Sequence, residues 1–272
     1  MKRIGNLYEK VCSIENLQLA DEKARKGKLR TYGVIEHDKK REVNLLKLRE
    51  TLLNGTFHTS KYDVFTIYEP KEREIYRLPY FPDRILHHAI MNVLEPIWVS
   101  TFTADTYSCI KNRGIHAAAK KVKQALREDP EGTTFCLKLD IRKFYPSINH
   151  DVLKSILRRK LKDKRLLRLL DEIIDSADGV PIGNYLSQYF ANLYLTYFDH
   201  WIKEQKRVKH YFRYADDIVI LASDKSYLHS LMGEIRAYLG DLKLEVKGNW
   251  QVFPVAARGI DFVGYVFFHT HT

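Results

Sequence analysis

The chain has 272 residues, 45% of them hydrophobic, which is enough to bury one large core or two modest ones. Its 45 Lys and Arg outnumber 34 Asp and Glu, giving a net charge of +11 that favours a polyanionic partner whose phosphates release counterions on binding. Cys12, Cys109 and Cys136 lie far apart, without metal-ligand spacing, and their odd number excludes a complete disulfide framework. With no apolar signal core and no membrane-length stretch, the composition reads as a cytoplasmic protein with no membrane partner.

In chain order, residues 1 to about 60 read as charged helices, the best marked running from Asn44 to Leu53 and stopped by Asn54-Gly55. Tyr62 to Tyr68 alternates as a strand. A charged hairpin, Glu69 to Glu74, then leads to a second strand from Ile75 to Leu78. Helices are expected from Asp83 to Trp98, with Leu86, Ile90, Val93, Leu94 and Ile97 on one face, and from Gly114 to Arg127. Thr133 to Leu139 reads as a buried strand ending at Asp140. Pro146 then breaks the chain, and Asn149 caps a basic helix that includes Lys154 to Arg168. Gly179 to Asn184 is a turn-rich loop before an amphipathic helix reaching Trp201. A hairpin follows over Lys209 to Leu221, then a helix from Ser226 to Leu239. Short strands at Lys243 to Val246, Gln251 to Val255 and Ile260 to Phe267 complete the chain.

From residue 133 to 246 this order is βαββαβ, an antiparallel sheet backed by helices within an α+β fold. Its topology brings the end of the first strand, Asp140, beside the hairpin tip Tyr214-Ala215-Asp216-Asp217. Alone, Asp216-Asp217 reads first as a solvated acidic turn. Joined by Asp140, it becomes a set of hard oxygen donors suited to Mg²⁺. His269 and His271 share a strand face but lack a third ligand, and His87-His88 point to different sides of a helix.

Three blocks in this order and spacing, Leu139-Asp-Ile-Arg-Lys-Phe-Tyr145, Gly179-Val-Pro-Ile-Gly-Asn-Tyr-Leu-Ser-Gln188 and Tyr214-Ala-Asp-Asp217, resemble the palm of a reverse transcriptase. The stretch from Asn6 to Phe268 is similar to the fingers and palm of bacterial retroelement enzymes. Ile182-Gly-Asn184 with Ser187-Gln188 most resembles the reverse transcriptases of diversity-generating retroelements. Glu69-Pro-Lys-Glu-Arg73, Asp83-Arg84, Arg113-Gly114 and Gln251-Val-Phe-Pro254 support the same likeness.

The resemblance implies a right-hand polymerase with fingers over residues 1–130 and a palm over 131–272. The chain stops at Thr272, after the primer-grip-like block, where relatives continue into a helical thumb, so the thumb is expected to be absent or truncated. Its reaction would be RNA-templated DNA synthesis from dNTPs on a DNA or RNA primer, using two Mg²⁺ ions or Mn²⁺ in their place. Asp140, Asp216 and Asp217, with the carbonyl of Ile141, would hold the metals, and Lys247 would protonate the leaving pyrophosphate. Lys71, Arg73, Phe144, Tyr145, Gly183, Asn184 and Gln188 would line the dNTP site. There Arg73 clamps the triphosphate and Tyr145 blocks a 2′-hydroxyl. Phe262, Val263, Gly264 and Tyr265 match the primer grip. Each has a plainer reading: ordinary packing for Tyr145, a charged hairpin tip for Lys71 and Arg73, a helix-entry turn for Gly183, a surface lysine for Lys247.

The subfamily further implies a structured retroelement RNA and a small basic accessory protein, with Lys154 to Arg168 as a contact surface. A retron-like or phage-defence reverse transcriptase and a catalytically silent RNA-binding remnant are the alternatives. An unrelated two-metal nuclease leaves Tyr145 and Gly183-Asn184 unexplained.

Overall fold

In the computed structural model, residues 3–68 and 72–272 are described. The helices α1 (Tyr8–Cys12), α2 (Ile14–Ala24), α3 (Tyr32–Asp38) and α4 (Arg41–Asn54) precede a hairpin of β1 (Asp63–Ile67) and β2 (Arg73–Arg77). Then come α5 (Ile85–Val99), α6 (Ile115–Glu128), β3 (Phe135–Asp140), α7 (Phe144–Ser147), α8 (His150–Lys160) and α9 (Lys164–Asp175). After α10 (Tyr185–Tyr194) and α11 (Thr196–His200) follow β4 (His210–Tyr214), β5 (Asp217–Ala222) and α12 (Lys225–Asp241). The chain closes with β6 (Gln251–Pro254), α13 (Val255–Arg258), β7 (Ile260–Phe262) and β8 (Tyr265–Phe267). Two compact units interleave along it: residues 1–100 with 150–190, and residues 101–149 with 191–272.

In the first unit, α5 buries Ile85, Leu86, Ala89, Ile90, Leu94 and Trp98 and packs against α2. The helical spacing of these apolar residues makes that face. Gly55, at φ +67, ends α4 as the Asn54-Gly55 signal requires. Asp21 is fully buried on α2 and is satisfied by Arg25, Arg41 and the Tyr80 hydroxyl.

The basic stretch at Lys154 to Arg168 is two helices, not one. Asp163 breaks it, capping α9 through the Leu166 N–H at 3.2 Å and accepting the N–H groups of Leu7 and Tyr8 at 2.7 and 2.9 Å. Several of its cations already have acidic partners: Lys154 pairs with Asp175, Arg158 with Asp171 and Arg165 with Glu9. Arg159, Lys162, Lys164 and Arg168 stay exposed along it.

The second unit is built on a four-stranded antiparallel sheet in the order β4-β5-β3-β6. Cys136, Phe212, Val219, Leu221 and Phe253 form one buried cluster with Ala118, Val122 and Leu126 of α6 and with Phe262 and Phe267 of the β7–β8 hairpin. Leu137, Leu139, Ile218 and Ile220 alternate with them and are buried towards the opposite face. α12 packs across β3, β5 and β6.

Two expectations change here. Lys243 to Val246 supplies only an isolated bridge, Ile141 to Val246, and the fourth strand is instead β6. Pro146 does not break the chain but sits inside the single turn of α7, where so short a helix asks no N–H of it.

Candidate active site

β3 places residues two apart on one face. Cys136 lies in the core, and Lys138 and Asp140 follow it towards the strand's end. The antiparallel register sets Asp140 opposite Asp217 and Lys138 opposite Val219. β4 and β5 join through Ala215 and Asp216, with Tyr214 paired to Asp217 as the last rung. The Ile141 N–H donates to the Asp216 carbonyl at 3.3 Å, tying the turn to the residue after Asp140. Strand pairing alone thus gathers Asp140, Asp216 and Asp217, as their order in the sequence implies.

Like charges directly opposed on a sheet face repel, and two lysines answer them. Lys138 Nζ donates to Asp217 Oδ1, and Lys247 Nζ lies 3.4 Å from Asp140 Oδ2. The Lys247 N–H also donates to the Asp140 carbonyl at 2.8 Å. Burial pushes the Asp217 carboxyl up to about 6, with Lys138 opposing the shift and Asp140 and Asp216 adding to it. The Lys138 ammonium also lies 5.3 Å from the centre of the Phe262 ring, a cation–π contact.

These carboxylates are the hard oxygen donors that Mg²⁺ takes. Among the described residues, no group of three or more His, Cys, Asp and Glu side chains forms a ready cage for a metal ion. The donor set fits Mg²⁺ held through one or two carboxylates, its other positions completed by water or phosphate oxygens.

Lys143 adopts φ +44 and turns the chain into α7. Phe144 is buried there, and the half-buried Tyr145 ring stands edge-on to it at 5.6 Å. Burial, with smaller contributions from Cys109 and Asp216, raises the Tyr145 phenol well above its ordinary range. In the β7–β8 hairpin, Val263 and Gly264 form the turn with φ of +49 and +85, while Phe262 is buried and Tyr265 exposed. His269 faces the Thr133 hydroxyl at 3.0 Å and His271 stacks on Phe268, so neither joins a metal pair.

The other predicted nucleotide contacts belong to the first unit. Gly183 has φ +118, and a Cβ there would stand 2.8 Å from the Tyr76 carbonyl. The Tyr76 N–H donates to Ile182 O at 2.8 Å. The glycine therefore serves a close approach to β2. Asn184 is buried and donates Nδ2 to the Tyr62 hydroxyl at 3.3 Å, while Gln188 is exposed on α10. Arg73 is exposed at the start of β2, opposite Ile67, and Lys71 lies outside the described residues. Arg84, half-buried ahead of α5, is a cation whose proton affinity burial and then Arg77 both lower.

Sequence reasoning missed Lys138, Asp199 and Arg213. The signal was present, because Lys138 and Arg213 are charged residues inside otherwise apolar strands. Arg213 and Asp199 are fully buried and joined bidentately, at 2.7 and 2.6 Å.

Residues 69–267 match the family model described as "Reverse transcriptase (RNA-dependent DNA polymerase)". The chain belongs to the reverse transcriptase family. It is 26% identical to Protein YkfC of Escherichia coli over 82% of this chain and 71% of that protein. It is 23% identical to the group II intron-encoded protein LtrA of Lactococcus lactis, over 65% of this chain and 31% of that one. For nuclear intron maturase 4 of Arabidopsis thaliana the figures are 27%, 56% and 20%. Among solved structures, telomerase from Candida tropicalis superposes with a TM-score of 0.57 at 14% identity, over 78% of this chain and 44% of that one. The fold is thus a reverse-transcriptase-like α+β fold, in a family that includes intron-encoded and organellar maturase proteins. The chain spans less than half the length of the intron-encoded and telomerase relatives. Among the described residues, no helix is long and apolar enough to cross a membrane.

Proposed function

We propose that this chain carries out RNA-templated DNA synthesis, transferring nucleotides from dNTPs to a primer 3′-hydroxyl. The observation that carries the reading is the in-register pairing of Asp140 with Asp217 across the sheet, with Asp216 in the turn beside them, in a member of this family. In this reading Asp140, Asp216 and the Ile141 carbonyl would hold the metal ions, with Asp217, whose counter-ion is Lys138, as the third acidic member of the set. Two bound Mg²⁺ ions would activate the attacking hydroxyl and stabilise the departing pyrophosphate.

The chain's own residues do the rest. Lys247, beside Asp140, supplies a proton to the pyrophosphate side. Tyr145 presents its ring to the sugar and excludes a 2′-hydroxyl. Arg73 and Lys71 grip the triphosphate, Phe144 supports Tyr145 from the core, and Gly183, Asn184 and Gln188 shape the nucleotide side. Phe262 to Tyr265 hold the primer end. Residues 1–130 then act as fingers and 131–272 as the palm.

Primer extension on an RNA template with purified protein tests the mechanism. Asp140→Asn and the double variant Asp216→Asn/Asp217→Asn are expected to lose incorporation by at least about 10³-fold, about 4 kcal/mol of transition-state stabilisation. Activity in the double variant equal to that of the unsubstituted protein would overturn it.

Within the family, Ile182-Gly-Asn184 with Ser187-Gln188 supports a diversity-generating retroelement enzyme. Such an enzyme copies a structured template RNA with errors at adenines, alongside a small basic accessory protein in the cytoplasm. The intron-encoded relatives favour a second reading, an enzyme that copies its own intron RNA. Sequencing the cDNA made from each candidate RNA separates the two: mutations concentrated at adenines support the first, and faithful full-length intron copies the second.

A further inference from the structure

The turn that carries Asp216 is strained. Tyr214 and Asp217 close the β4–β5 hairpin, so Ala215 and Asp216 are its two central residues. Ala215 has φ +55 and Asp216 is not among the residues with positive φ. Positive φ at the first central position only is the pattern of a II′ turn, which favours glycine there, and an L-residue in its place is strained. The I′ alternative differs mainly by a flip of the Ala215–Asp216 peptide and needs positive φ at Asp216 as well. That flip would redirect the Asp216 side chain. Strain of this kind persists where surrounding structure over-determines it, and it gathers at functional sites.

The over-determining contact is a buried cation. Arg213 Nη1 donates to the Ala215 carbonyl at 3.0 Å, gripping the very peptide whose flip separates the two turns. Arg213 lies in register with Ile218, so it holds the turn from the sheet face opposite Asp217. Asp199 in turn fixes the guanidinium through Nε and Nη2, and Asn192 Oδ1 takes Nη1 at 3.3 Å. Asp199 is itself held by the Tyr211 hydroxyl at 2.6 Å and the Thr106 hydroxyl at 3.0 Å, and Asn192 by the Ser108 carbonyl at 2.7 Å. Arg213, Asp199, Asn192, Tyr211 and Thr106 are all buried. A fully buried ion pair is a costly way to gain stability alone.

We propose that Arg213, anchored by Asp199, is a positioning residue that selects the II′ orientation of the Ala215–Asp216 peptide and so aims the Asp216 carboxylate. This rests on the polymerase reading for its consequence, though not for its geometry. A lysine at 213 keeps the charge opposite Asp199 but has no planar fork to span carboxylate and carbonyl together.

The full chain carrying R213K is compared with unsubstituted protein by hydrogen exchange and single-turnover primer extension. Exchange is expected to rise at least tenfold in peptides covering 214–218 and to stay unchanged in β3 and β6. Incorporation falls at least tenfold with the KM for dNTP within twofold. Adding A215G, which favours II′ at the first turn position, recovers at least threefold of that loss. Should R213K not fold, D199N, which keeps the shape but loosens the anchor, is expected to give the same turn-local exchange. Unchanged exchange at 214–218, or a loss that A215G leaves untouched, overturns the proposal. If unsubstituted protein incorporates no nucleotide, the polymerase reading fails, and the exchange measurement alone still decides whether Arg213 holds the turn.

Discussion

Asp217 shows how one side chain can be forced into a site by strand register and then need a neighbour. Its folded carboxyl titrates near pH 6, above the unfolded value, because burial and then the nearby carboxylates disfavour the charge. A raised carboxylate binds its proton more tightly in the folded state, so its contribution to stability is full at low pH and is lost as pH rises through 6. Asp217→Asn removes that loss. In metal-free buffer, its stability relative to the unsubstituted protein should improve by about 2–3 kcal/mol between pH 4 and pH 7, read by urea unfolding at each pH. Lys138→Met has the opposite dependence. It should destabilise by about 1–3 kcal/mol at pH 8, where Asp217 is left charged and unpaired, and by much less at pH 5. Equal effects at both pH values would show that the ion pair of Lys138 and Asp217 does not govern the site.

At the scale of elements, two loops hold their neighbours in place by backbone geometry. The segment ahead of α10 reaches β2 through the Ile182 carbonyl, and Gly183 is what lets it come so close. Gly183→Ala combines a positive-φ penalty with a clash at the Tyr76 carbonyl, a backbone atom of a residue paired with Val64 in the hairpin. A loss of about 2–4 kcal/mol is expected in thermal unfolding, whatever the role of Asn184 beside it. Asp163 serves α9 as cap and the N-terminal segment as acceptor, so Asp163→Ala should cost about 2–3 kcal/mol, more than a simple cap. Helix boundaries at such caps were easy to read where Asn54-Gly55 announced them. They were missed at Asp163, because seven of the surrounding residues, Lys160, Lys162, Lys164, Arg165, Arg168, Arg158 and Arg159, blur the helical period with charge.

For the whole molecule, the excess of 45 basic over 34 acidic residues is the feature that bears on its partner. Binding of the full chain to a single-stranded RNA should weaken steeply with salt. With about six phosphates neutralised, the loss is about 300-fold between 50 and 200 mM, measured by fluorescence anisotropy. A flat salt profile would mean that the positive charge does not meet phosphate.

The sequence by itself determined the family, the helices of the first sixty residues, the β4–β5 hairpin and the convergence of Asp140 with Asp216 and Asp217. These are local patterns or motifs whose spacing survives without knowledge of packing. Tertiary structure decided the rest. Only strand pairing showed that β6, rather than Lys243 to Val246, completes the sheet, because register is a contact between distant segments. Only burial showed that Gly183 is fitted against β2 and Asn184 turned towards Tyr62. Lys138 and Arg213 looked like stray charges in apolar strands until the fold placed one against Asp217 and the other between Asp199 and the Ala215 carbonyl. A charge inside a strand is costly wherever it lacks a partner, and the partner is chosen by the folded chain.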